Sequence, residues 1–120
     1  MTLTEERLFD LSYLEQMDDK NFIIQILDIF LIDTPADLLV LEDAFKAGDL
    51  DTVCKTAHKL KSSTGMLQAN SLFDMLGNIE KLAKTGIASN QLTELVQSSR
   101  VEFNQLKNGL ELHLQEIKAA

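Results

Sequence analysis

The chain has 120 residues, 45% of them hydrophobic and 25% charged, the balance of one compact globular domain rather than of a disordered segment. Its formal net charge of -8, from 11 basic against 19 acidic residues, would repel a phosphate backbone or an anionic bilayer, which sets aside nucleic-acid and membrane-surface binding. Cys54 is the lone cysteine, which rules out an internal disulfide, and the N-terminal MTLTEERLF carries acids where a secretory signal needs a basic start and an apolar run, so a cytoplasmic location is expected.

One proline, five glycines and little apolar/polar alternation point to an all-α protein. A short first helix is expected near Arg7 to Gln16. The acids of DDKN then cap a second helix from Lys20, where Phe22, Ile23, Ile26, Leu27 and Phe30 recur at helical spacing. Its stretch FIIQILDIFLI is broken by Gln25 and Asp28 and falls short of the roughly 18–20 residues that span a bilayer, so it reads as a core helix. Pro35 is expected to bend this helix rather than end it, because Leu38, Leu41 and Phe45 resume the pattern to about Lys46.

Gly48 and Asp49 close that helix and cap the next, expected from Leu50 to about Thr64 with a stop at Gly65. A fourth helix is expected from about Asn70 to Lys84, with Leu72, Met75 or Leu76, Ile79 and Leu82 on its apolar side and KTG ending it. The last, roughly Ser89 to Lys118, carries Leu92, Leu95, Val96, Phe103, Leu106, Leu110 and Ile117 at near-heptad spacing. Short connections make neighbouring helices antiparallel. The fold expected is an all-α, up-down antiparallel four-helix bundle in one domain over 1–120, its core at about 19–118 and residues 1–18 forming a short N-terminal helix as a lid.

Within the third helix, AHKLKSSTG raises a question of chemistry. At about 100° per residue, Leu50, Val53, Ala57 and Leu60 cluster on a side whose mean direction lies about 120° from His58. His58 therefore faces solvent. Lys61, Ser62 and Gly65 fall within about 60° of it, and Lys55 adds a second cation further round. A neutral imidazole is a nucleophile, a cation one turn away stabilises an added phosphoryl group, a hydroxyl can donate to it, and small side chains leave room for a large partner. By spacing alone, an ordinary exposed histidine fits the same stripe.

The string AHKLKSS resembles the signature A-H-x-L-K-G-S of histidine-containing phosphotransfer (HPt) domains. The upstream run ILDIFLIDTPADLLVLEDAFKAGDLDTV and the downstream SLFDMLGNIEKLAKTG are similar to the family's flanking helices in order and spacing over about 70 residues. The resemblance implies a free-standing phosphorelay intermediate. His58 would accept a phosphoryl group from a receiver-domain aspartyl phosphate and pass it to another receiver aspartate, and Lys61 would neutralise the phosphoryl oxygens, with Ser62, Gly65 and Lys55 as accessories. It also implies no autonomous kinase activity and no cofactor or metal on this chain, Mg²⁺ being expected on the receiver. The partners expected are receiver domains and a hybrid sensor kinase, all in trans, and a monomer is expected. Two positions depart from the family pattern, Ser62 and Gln68 each standing where a glycine is usual.

The second helix is apolar almost all the way round, so Ile24, Leu27, Leu31 and Ile32 are either a docking patch for the receiver or the surface that the first helix covers through Leu8, Leu11 and Leu14. Cys54, one turn before His58, lacks an orienting carboxylate and oxyanion glycines and reads as a buried structural cysteine. His113 in LELHLQ reads as solvated or interfacial, since no paired Glu-x-x-His motifs build a bundle metal site. Asp18, Asp19, Asp49 and Asp51 are explained by helix starts. Glu80 matches the family's helix glutamate, with a structural role. The rival to the relay is a bundle that binds a receiver or sensor kinase without being phosphorylated.

Overall fold

A computed structural model describes residues 8–119. Their helices are α1 (Ser12–Glu15), α2 (Lys20–Lys46), α3 (Leu50–Met66), α4 (Asn70–Lys84) and α5 (Asn90–Ala119). α2 packs against α3 and α5, α3 against α4, and α4 against α5, which closes the four long helices into an antiparallel ring. No helix of the described residues is long and apolar enough to cross a membrane.

The first helix is shorter than its pattern implies, a single turn that begins at Ser12; Arg7, where it was expected to start, lies outside the described residues. Asp10 is the cause. Its N–H donates to the carbonyl of Leu67 at the end of α3, and its Oδ1 accepts from the N–H and hydroxyl of Ser12 at 2.9 and 2.6 Å. A tertiary bond and a local side-chain turn thus replace helical pairing before Ser12. Leu11 and Leu14 behind it are buried in the core, so this segment does close over the bundle.

α2 is capped by Asp19, whose carboxylate accepts from the Phe22 N–H at 3.0 Å. It runs through Pro35 without a break, because burial of Thr34, Leu38 and Leu41 holds the second half on the bundle despite the missing donor. Asp49 caps α3 through the Thr52 N–H, and the Ser89 hydroxyl caps α5 through the Leu92 N–H. Gly48 and Gly86, both at φ +76°, supply the left-handed turns after α2 and α4.

The end of α3 corrects the expected stop at Gly65. The helix continues to Met66 and the left-handed residue is Gln68, at φ +51°, with Gln68 and Ala69 donating back to the carbonyls of Gly65 and Thr64. Gly65 is small for another reason: a Cβ there would lie 3.3 Å from the Phe73 ring of α4.

The core is a continuous seam that includes Leu27, Leu41, Leu76, Phe103 and Leu106, all essentially without exposure. Each such side chain contributes about 1.5–3 kcal/mol by leaving water. Between α5 and α2, Arg100 clasps Glu42 through two hydrogen bonds of 2.9 and 2.7 Å, a bidentate pair that fixes their relative register.

Candidate functional site

Burial of Val53, Ala57, Leu60 and Thr64 orients α3 so that His58 points outward, its side chain 72% exposed. Burial of Ile79 and Ala83 likewise orients α4, and it brings Glu80 up beside α3 with its side chain only 13% exposed. The two meet at 2.9 Å, His58 Nδ1 to Glu80 Oε2. The other oxygen, Oε1, accepts from Lys61 Nζ at 3.1 Å, and Lys84 Nζ stands 3.9 Å from Oε2. Glu80 thus joins the histidine and the motif lysine.

This geometry decides the state of the imidazole. Loss of hydration pushes the Glu80 carboxyl up, but the hydrogen bonds and charges of Lys61 and His58 outweigh that and hold it below the usual glutamate range. An ionised carboxylate only accepts, so Nδ1 carries the proton in the bond to Glu80. In the neutral ring Nε2 then keeps the lone pair. Lys61 is partly buried, 28% exposed, and its ammonium lies 5.5 Å from the centroid of the Phe73 ring, which limits where that charge can sit.

His58 rides on the ridge between two unlike grooves. The α3–α4 groove is polar and is lined by His58, Lys61, Phe73, Glu80, Lys81 and Lys84. The α2–α3 groove, of about 290 Å³, is mainly apolar through Ile26, Ile29, Phe30 and Met66, and Lys59 bridges it to Asp37 at 3.2 Å.

The accessory residues separate between these surfaces. Ser62 lines the apolar groove rather than the one that holds His58 and Lys61, and exposed Gly65 lies against Phe73. Lys55 spends its charge locally: its ammonium pairs with Asp51 at 2.9 Å, one turn back on an exposed face, and that pairing raises its pKa. Of the four apolar docking candidates, Leu27 is corrected outright. It has no exposure and belongs to the core. Ile24 and Leu31 are half-buried against the core, while Ile32 is 71% exposed. Ile29 and Met66, both exposed, flank the groove and were not singled out in the sequence. The signal was available for Ile29, which lies about 200° round the helix from Leu27.

Glu80 is the larger omission. It was assigned a structural role, and its contact with His58 spans 22 positions of sequence. Cys54 is half-buried against the core. His113 lies on α5, with Nδ1 3.7 Å from Glu116 and Nε2 3.9 Å from Glu15 of α1, and its ring meets Phe9 edge-on at 6.1 Å. Nε2 is buried and has no hydrogen-bond partner among the described residues. Those residues gather no group of three or more His, Cys, Asp or Glu side chains that could hold a metal ion.

Comparison with known proteins bears on the family and the fold. The family model described as "Hpt domain" matches residues 25–120. The structure is similar to the crystal structure of histidine-containing phosphotransfer protein B from Pseudomonas aeruginosa PAO1, with a TM-score of 0.84 and 23% sequence identity over 92% of this chain and 97% of that one. At that identity the likeness concerns the fold. No match was found among curated proteins.

Proposed function

The chain belongs to the Hpt-domain family, and we propose that in the histidine phosphotransfer of two-component signalling His58 is the residue that carries the phosphoryl group. Nε2 attacks the phosphorus of a receiver-domain aspartyl phosphate. The P–N bond forms as the P–O bond breaks, and the aspartate leaves as a carboxylate. Donation to a second receiver is the same step reversed, with a new aspartate as the nucleophile.

The observation that carries the proposal is the 2.9 Å bond from His58 Nδ1 to Glu80. It holds the proton on the inner nitrogen of an exposed ring and leaves the lone pair on the outer one. As the P–N bond forms, positive charge grows on the ring, and the Glu80 carboxylate lies where that charge is felt. Lys61, one helical turn along, supplies a cation for the phosphoryl oxygens. A receiver domain is expected to bring Mg²⁺ to the transfer, and the chain is proposed to act as a carrier without kinase activity of its own.

For docking, the proposal places the receiver over the apolar α2–α3 groove, where Ile29 and Met66 are exposed beside His58's ridge, while Ile32 is exposed further round α2 and outside the groove lining. The polar α3–α4 groove on the other flank remains for the transferring group.

Phosphoryl transfer from a radiolabelled phospho-receiver to the wild-type chain and to His58→Gln tests the reading. Acid-labile, alkali-stable label is expected on wild type and only background on the variant. Equal labelling of both, or no label on folded wild type across the organism's receivers, overturns it; the second result is what a phosphorylation-independent binding bundle predicts.

A further inference from the structure

Glu80 has more to balance than the resting site shows. Its carboxylate, 13% exposed, holds His58 on one oxygen and Lys61 on the other. If His58 becomes phosphorylated, as proposed above and as the present inference requires, a group with close to two negative charges appears on the ring that Glu80 already touches. Lys61 is the near cation for both anions and cannot fully neutralise the two at once. A carboxylate mostly withdrawn from water is costly to leave without a cation, and a new anion beside it raises that cost.

Among the described residues one other cation lies within ion-pair range of Glu80. Lys84, on the next turn of α4, has its ammonium 3.9 Å from Oε2, beyond hydrogen-bond distance, on a side chain 67% exposed. A lysine in the last turn of α4 already favours the helix dipole, which accounts for a cation on this turn but not for one facing the same groove as His58.

We propose that Lys84 is a positioning residue that takes over the Glu80 carboxylate when Lys61 turns to the phosphoryl group. It acts through Glu80 and does not bind the phosphoryl oxygens. The exchange leaves the bond from His58 Nδ1–H to Glu80 in place in both states, and it selectively stabilises the phosphorylated one.

The test is the equilibrium of phosphoryl transfer between a receiver and the intact chain, compared for wild type, Lys84→Arg and Lys84→Gln, with folding followed by circular dichroism. Lys84→Gln is expected to move the equilibrium toward the receiver by about threefold to tenfold at low salt, and high salt should shrink that difference. Lys84→Arg should stay within about twofold of wild type, since the charge is kept. The Nδ1–H resonance of unphosphorylated His58 should be the same in all three, which a merely structural loss would not spare. A Lys84→Gln equilibrium equal to that of wild type overturns the proposal, as does a charge-keeping arginine that behaves like glutamine. Wild type that takes no label overturns the carrier reading itself and this inference with it, so the two failures are told apart.

Discussion

The chain has two histidines, both on long helices and both near carboxylates, and they occupy opposite situations. His58 meets Glu80 at 2.9 Å with a ring 72% exposed, while His113 stands 3.7 and 3.9 Å from Glu116 and Glu15, with a side chain 31% exposed and Nε2 buried. One ring has an inner nitrogen bonded and an outer nitrogen open. The other is wedged edge-on against Phe9, and its inner nitrogen has no hydrogen-bond partner among the described residues. Proximity to a carboxylate is therefore not what separates the two histidines. What matters is a carboxylate close enough to bind the proton at one nitrogen while the other stays accessible.

Four experiments sharpen or break that contrast. The largest difference is expected from removing each imidazole: His58→Gln should reduce label uptake to background, as set out above, and the comparison would break if a His113 variant did the same.

Next comes Glu80→Gln, which keeps the shape of the pair and removes its charge. A hydrogen bond to a charged partner supports a loss in transfer rate of about tenfold to a hundredfold, measured by rapid quench with a phospho-receiver. Unchanged rates would mean that Glu80 only anchors Lys61.

Acid stability gives a smaller effect with a definite sign. The folded-state pKa of Glu80 lies below its unfolded value, so its contribution to stability is present above the ordinary glutamate range and is lost as pH falls through the depressed folded value. In urea titrations from neutral pH into acid, wild type should lose more stability than Glu80→Gln, and the two curves should converge at the acid end. Curves that stay parallel would remove the ion pair as the source of the shift.

The smallest effect is expected at His113. Replacing a ring whose buried nitrogen has no hydrogen-bond partner among the described residues by the apolar His113→Leu should be neutral or stabilising by up to about 1 kcal/mol, read from urea midpoints at mildly alkaline pH. A destabilisation of more than about 2 kcal/mol would show that the nitrogen makes a bond of real value.

Much of the fold was legible because helices announce themselves locally. Period, caps at Asp19 and Asp49, and glycines at Gly48 and Gly86 depend on residues within a turn of one another, and the four long helices lie close to where those signals put them. The misjudged positions were those where a distant group intervened. Leu67 takes the N–H of Asp10 and delays α1, and Phe73 on α4 gives Gly65 a packing role while Gln68 makes the turn. Leu27 was offered as surface because an almost wholly apolar helix does not say which of its faces the partners will cover.

The candidate site divides in the same way. His58 and Lys61 share a face because three residues make nearly one turn, and the sequence alone determines that, together with the helical class, the caps and the outward direction of the imidazole. That Glu80 closes the pair, that Lys84 stands behind it, that Ser62 belongs to the other groove and that Lys55 is spent on Asp51 were decided only when α3, α4 and α2 packed. Backbone periodicity sets the angle of a side chain about its own helix axis. The separation of two side chains on different helices depends on how the buried faces of those helices interlock, and that is a property of the whole core.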